Sequence, residues 1–481
     1  MLLNLNRKKK TGIGIILTLI SAGCLQAKKS AFDIRSPSGV IFGVGISLIS
    51  TQAAPAAVSS SFSYSLKSYT FYAGTAIPNI TPTVTDGPLS SFTVSPSLPA
   101  GLSIDSSTGT ISGSPSSGAA SALYTVSAVN TSKVSSSSQI TVRISTTTAS
   151  LVYGQSGSFT TNVSSVTASG LSASFGFAAD SSGNVYIADT VSSRILYYAS
   201  GTTTASRVYG QNGSFISAAS NNGGRSASSL YNPQYLTLDS ADGLYAVDNG
   251  NNRVLYYPSG QSTASKVYGQ GGDFTSNLTG LTASSFGSAN GTAVNKSNGV
   301  YVTDNSNNRV LYFSSGSFTA SKVYGQTDYV TGTSGLSSSK FSGPGSIAVD
   351  SQDGLYVTDT NNNRVLYFSA GSTTASRVYG QPNFTSNLAN NGGISASTLN
   401  SPYAVTVDSL NGVYIADTGN NRVLYYPPNS TAASLVFGQT NFTGNAPGTT
   451  ATTLNTPRGV AVDSANRLYI MDNVNSRVLG Y

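Results

Sequence analysis

Six times along the chain, an Asp or Asn closes a short apolar run: Asp180, Asp239, Asn295, Asp350, Asp408 and Asp463. Nine residues later an Asp closes a second run: Asp189, Asp248, Asp304, Asp359, Asp417 and Asp472. Five residues further stands an Arg: Arg194, Arg253, Arg309, Arg364, Arg422 and Arg477. Seventeen residues past each Arg but the last comes the Gln of V-[YF]-G-Q, at Gln211, Gln270, Gln326, Gln381 and Gln439. Only the stretch from Gln to the next Asp or Asn changes length, between 24 and 28 residues. Constant spacing marks a rigid unit and variable spacing a loop. Fixed repeats of this size point to a propeller or an array.

Each repeat holds four strand-sized runs. In the fourth they are residues 346–350, 355–359, 364–368 and 375–379. β-Branched and aromatic residues fill them, and Gly in the linkers supplies the positive φ of hairpin turns. Apolar residues on both faces of the third run suit a sheet packed between two neighbours. Six four-stranded units predict a six-bladed β-propeller. The first recognisable run, 149–155, has the sequence of a fourth strand, and the last repeat reaches only its third. The N-terminal strand should therefore complete the last blade and remove exposed edges.

The runs D-T-N-N-N-R-V-L-Y at 359–367 and G-V-Y-I-A-D-T-G-N-N-R-V at 412–423 resemble the NHL repeat family. The resemblance covers residues 149–481. Upstream, residues 62–147 alternate short strands with Pro and Gly turns. The run L-P-A-G-L-S-I-D at 98–105, followed by T-G-T-I-S-G-S-P at 108–115, resembles the immunoglobulin-like domains of bacterial surface proteins. Such domains act as spacers or adhesive modules. Asp86 and Asp105 are the only acidic residues there, too few for the six to eight oxygens that calcium takes.

The N-terminus reads as a signal peptide over 1–23: Arg7 to Lys10 are basic, 13–20 apolar, and Ser21, Ala22 and Gly23 precede Cys24. This resembles a bacterial lipoprotein signal, with Ser21 where Leu is usual. Cys24, the only cysteine, is the expected lipidation site. Residues 24–61 form a tether. A membrane-anchored envelope protein follows, at the outer membrane or cell surface. The overall reading is all-β: an immunoglobulin-like β-sandwich, then the six-bladed propeller.

The formal charge of +7 misleads, because residues 149–481 hold 15 Lys and Arg against 15 Asp. A neutral domain lacks the main driving term for binding nucleic acid. All 18 acidic residues of the chain are Asp, and it has no His. Related propellers include amidating lyases with His-ligated metal and gluconolactonase-like enzymes with a Glu/Asn/Asp metal site. Neither set can be placed here, and no His can serve a Ser nucleophile as base. The chain reads as a non-enzyme without metal or cofactor, a monomer that binds a protein or glycan. The alternative is a hydrolase or lyase with a central-channel site.

One Asp–Arg pair in every repeat indicates structural parts rather than six charged sites. Function should lie in the long loops. There an aromatic recurs at Phe159, Phe215, Phe274, Tyr329, Phe384 and Phe442, read as an internal strut or a platform for sugar rings. An apolar anchor follows at Phe175, Leu230, Phe286, Phe341, Leu399 and Leu454. Charged residues that depart from the repeat are Arg225, Lys296, Lys340, Arg458 and Arg467; the last two read as surface residues. Arg225, Asp273, Asp328 and Lys340 are the loop candidates for touching a partner.

Overall fold

The computed structural model describes residues 60–481. The expected leader, the lipidation site Cys24 and nearly all of the expected tether lie outside the described residues. No helix among the described residues is long and apolar enough to cross a membrane.

Residues 61–145 form a small β unit. Its main sheet runs Ser68–Tyr72, Ser135–Ser145, Ala119–Asn130, Leu89–Ser95, and only the first pair is parallel. Two two-stranded sheets accompany it, around a core that includes Tyr69, Phe71, Phe92, Val126 and Ile140. Asp105 Oδ1 accepts from the Ser107 and Thr108 N–H groups at 2.8 and 2.9 Å. The Ser107 hydroxyl and these two N–H groups hold its carboxyl down, at about 2. This oxygen closes a turn.

From residue 151 the chain builds six four-stranded antiparallel sheets. Five use consecutive strands, as in Pro344–Val349, Leu355–Asp359, Arg364–Phe368 and Arg377–Tyr379. The sixth joins Pro457–Val462, Leu468–Asp472 and Arg477–Gly480 to Leu151–Tyr153. First strands of successive sheets pack side by side, and Pro457–Val462 lies against Ser174–Ala179. Together they line a cavity of about 260 Å³.

The sheets hold together through the same contact used six times. The fourth-strand aromatic of each meets an aromatic of its neighbour edge-on. The pairs are Tyr209–Tyr257, Tyr268–Phe313, Tyr324–Phe368, Tyr379–Tyr426, Phe437–Tyr481 and Tyr153–Tyr198, at 5.0–5.5 Å. Each such pair contributes about 0.5–1.5 kcal/mol beyond burial.

The spaced carboxylates make the turns. Oδ1 of Asp350 accepts from Gln352 and Gly354 N–H at 2.9 and 2.7 Å, tying the hairpin between first and second strands. Asn295 does the same for Ser297 and Gly299, since only its oxygen is needed. At the opposite end of the second strand, in four of the six sheets, a one-turn 3-10 segment leads to an Asn at φ of 51–52° just before the Arg, while Ser193 and Ser476 take that place in the first and last at 50° and 49°. Asn tolerates this left-handed conformation better than other side chains.

Candidate functional site

The long loops are held by the repeated Arg. Each guanidinium is fully buried. Arg364 Nε donates to Asp359 Oδ2 at 2.7 Å. Its Nη1 reaches the Phe384 carbonyl at 2.6 Å, in the loop leaving the sheet. Its Nη2 reaches the Ser337 and Lys340 carbonyls at 2.9 and 3.0 Å, in the loop entering it. Asp359 also accepts from Ser342 N–H and Asn362 Nδ2. Burial pushes its carboxyl above the ordinary value, and Arg364 with these donors pulls it back. The hubs at Asp189–Arg194, Asp248–Arg253, Asp304–Arg309, Asp417–Arg422 and Asp472–Arg477 repeat the ion pair at 2.7–2.8 Å.

The carbonyl that each Nη1 takes belongs to the recurring loop aromatic: Phe215, Phe274, Tyr329, Phe384, Phe442 and, for Arg477, Phe159. The rings themselves are half-buried against the sheet cores. The repeated Gln adds a second clamp. Gln381 Nε2 donates to Asn363 and Leu388 carbonyls at 3.0 and 2.8 Å.

The four loop candidates, Arg225, Asp273, Asp328 and Lys340, all make hydrogen bonds within the loops. Arg225 Nη1 donates to the Thr275 carbonyl of the next loop at 2.7 Å, and its Nε to Asn251. Lys340 Nζ donates to Gln326 Oε1 at 3.1 Å. Asp273 and Asp328 accept from N–H groups two residues on, at 2.8 and 2.9 Å. Loops with so few strand bonds use their charged side chains as internal partners. Lys296 reaches the Ser351 carbonyl, and Arg467 pairs with Asp463 at 2.6 Å.

Among mostly polar exposed residues, five of the clamped loops each present one aliphatic side chain outward. Val163, Ile216, Leu278, Val330 and Leu388 are 66–82% exposed, one in each of five long loops. Three of them, Val163, Leu278 and Leu388, give their own carbonyl to a Gln clamp. Ile216 and Val330 follow directly on the aromatic held by Arg194 or Arg309. These side chains are exposed on backbone that is fixed.

A second feature lies where the loops enter the first strands. Each first strand carries one extra residue against its partner near its start, a β-bulge. Bulges re-aim side chains and recur beside active sites. The residue after the first of each strand is Phe175, Gln234, Asn290, Gly345, Tyr403 or Arg458, six different types in an otherwise uniform repeat. Arg458 lies over the Phe175 and Tyr403 rings at 5.1 and 5.0 Å, and the rings meet edge-on at 6.1 Å. Beside them the Tyr235 hydroxyl donates across the cavity to the Tyr403 and Arg458 carbonyls at 3.0 and 2.8 Å.

A family model described as "NHL repeat" matches residues 286–313, 341–368, 399–426 and 454–481, and one described as "Putative Ig domain" matches 45–147. The chain carries NHL repeats. Each matched NHL stretch runs from the apolar anchor through the third strand. The two sheets before residue 286 use the same hubs and spacing. No curated protein matches the chain. A structural genomics protein of unknown function from Bacteroides thetaiotaomicron is similar in fold, at 13% identity and TM-score 0.50, over 85% of this chain and 96% of its own. A streptogramin B lyase superposes at 11% identity and TM-score 0.41, over 66% of this chain and 95% of its own. A gluconolactonase from Xanthomonas campestris does so at 14% and 0.41, over 64% and 86%.

The NHL register corrects two sequence expectations. In five repeats the anchor packs under the Gly of V-[YF]-G-Q, where a Cβ on Gly325, for example, would lie 2.3 Å from Phe341. Under Gly154 lies Leu171, not Phe175. Phe175 instead sits at the bulge. Arg458 is likewise no ordinary surface residue but half-buried between two rings. The signal that could have found both was alignment on the fully buried anchor, which exposes the one position where all six repeats differ.

Proposed function

We propose that the six sheets close into a six-bladed propeller and that this propeller is a binding scaffold rather than an enzyme. In this reading the protein is a monomeric envelope lipoprotein, anchored through Cys24 at the outer membrane or cell surface. Its loop face takes a protein or glycan partner. The observation that carries the proposal is the set of exposed aliphatic side chains, Val163, Ile216, Leu278, Val330 and Leu388, on loops locked by buried Arg and Gln. Contiguous exposed apolar surface marks interaction sites, and this reading takes the five side chains, one per long loop, as parts of one such surface. Rigid backbone lowers the entropy lost on binding.

The chemistry of the chain supports the same reading. With no His and no Glu, the propeller's acidic residues are Asp, and most close turns or pair with Arg. The central cavity is lined by apolar side chains and hydroxyls such as Thr237, Thr292 and Thr406.

The test is a panel of host-matrix proteins and glycans against the purified protein and its Ile216→Ser/Leu278→Ser/Leu388→Ser variant. The variant is expected to lose at least about tenfold in affinity, or about 1.4 kcal/mol, at unchanged melting temperature. A partner held equally well by both would remove the loop face from consideration. Stoichiometric bound metal with turnover would instead favour a channel hydrolase or lyase.

A further inference from the structure

Twelve arginines lie among the described residues, and Arg458 alone makes no side-chain hydrogen bond. It has no carboxylate within salt-bridge distance, and its Nε is buried without a partner. Phe175 and Tyr403 cover the guanidinium, which fixes its position and leaves its two Nη groups to a ligand. A half-buried cation with no counter-ion is costly unless something supplies one. The guanidinium fork matches a carboxylate, which it can hold through two parallel bonds.

The same strand position in the second and third sheets carries two amides. Asn290 is 5% exposed, and its Oδ1 is buried with no partner. Gln234 Oε1 is likewise buried and unpartnered. Most buried polar groups of native proteins have a partner, so an unpartnered one needs an account. An amide oxygen needs a donor and an amide nitrogen an acceptor, and a hydroxyl can be either. Gly345, at this position in the fourth sheet, adds no side chain. The six bulges lie at the ends of the first strands that receive the long loops, so this mouth shares its side of the molecule with the exposed aliphatics.

We propose that this mouth is a binding site for an acidic sugar. Arg458 holds the ring carboxylate, while Asn290 and Gln234 take hydroxyls. Phe175 and Tyr403 keep the guanidinium in place, and the Tyr235 bridge forms the floor. A neutral sugar leaves Arg458 without its counter-ion; a simple carboxylate leaves both amides unsatisfied. The inference rests on the loop-face reading and gives that face a ligand class.

The experiment titrates the purified protein with sodium D-glucuronate, D-glucose, sodium acetate and a short peptide with a free terminal carboxylate, by calorimetry. Glucuronate is expected to bind at least about tenfold more tightly than the other three, with the preference reduced by salt. Arg458→Gln should cost at least about tenfold in glucuronate affinity. Arg458→Lys, which keeps the charge but not the fork, should still weaken it, and covers the case that the Gln variant does not fold. Asn290→Ala should weaken glucuronate and leave acetate unchanged. No saturable glucuronate binding, equal binding of glucose or of the peptide, or indifference to both Arg458 variants would overturn the proposal. The Ile216→Ser/Leu278→Ser/Leu388→Ser variant should keep glucuronate binding whatever becomes of a macromolecular partner, so the two readings fail separately.

Discussion

Asp408 shows how much environment a repeated residue can hide. Like its siblings it ties a hairpin, accepting from Leu410 and Gly412 N–H at 2.9 and 2.7 Å. Unlike Asp463, which pairs with Arg467, it has no cation beside it. Burial pushes its carboxyl from 3.8 up to about 6. The folded state therefore binds a proton more tightly than the unfolded chain. The stability that Asp408 contributes is full below about pH 4 and is lost as pH rises through about 6. Asn295 at the same place in the third sheet shows that the turn needs only the oxygen. Asp408→Asn is expected to stabilise the protein by about 1–3 kcal/mol at pH 7.5 and by nearly nothing at pH 4. Urea unfolding at the two pH values checks this, and a gain that did not shrink toward acid would refute the buried-charge account. The turn role of these residues was legible in their spacing beside Gly. The absence of a cation near one of them was not, because it depends on neighbours distant in sequence.

At the scale of the element, spacing revealed the four strands per sheet, because hairpin pairing demands constant length wherever both faces are buried. It revealed less about loop entry in the first repeat. Four other repeats begin the first strand with Pro, whereas the first begins with Ser174, and its Phe175 resembled the aromatic anchors Phe286 and Phe341. Burial rather than residue type distinguishes them: Leu171 is fully buried against Gly154. The short strand Leu151–Tyr153 carries more than its length suggests. It pairs with Arg477–Gly480, sets Tyr153 on Tyr198 of the first sheet, and leads into Gln155, whose Nε2 reaches the Ser476 carbonyl at 2.8 Å. Without it the third strand of the sixth sheet becomes an open edge. Removing residues 149–155 should cost about 3–6 kcal/mol from the burial of Val152 and Tyr153 alone. A fall in melting temperature of about 5–10 °C is expected by calorimetry. An unchanged melting temperature would refute both this strand's role and the proposed closure of the ring.

At the scale of the whole molecule, the immunoglobulin-like part is more than a spacer. Tyr72 inserts between propeller side chains, edge-on to Phe437 at 5.3 Å and near Tyr414 and Tyr425 at 6.4 and 6.3 Å. Arg143 Nη1 donates to the Tyr481 carbonyl at 2.9 Å, and Thr70 Oγ1 to that of Ala465 at 2.5 Å. Leu410, from the Asp408 turn, packs against the core of the small domain. None of this was legible in the sequence, where Tyr72 reads as one more aromatic in a β run and Arg143 as the end of another. The partners of Tyr72 come from the fifth sheet and those of Arg143 and Thr70 from the sixth repeat, all more than 300 residues away in the chain. Burial of this kind couples the two parts, so they should unfold together. Tyr72→Ala removes the aromatic contact and leaves a cavity, at a cost of about 3–5 kcal/mol. Because Tyr72 lies at the end of its strand, the substitution should affect docking before either core. We expect one calorimetric transition in the parent protein and two in the variant, with faster proteolysis at residues 146–148. A variant that still melted in one transition and resisted the protease equally would show that Tyr72 does not carry the docking.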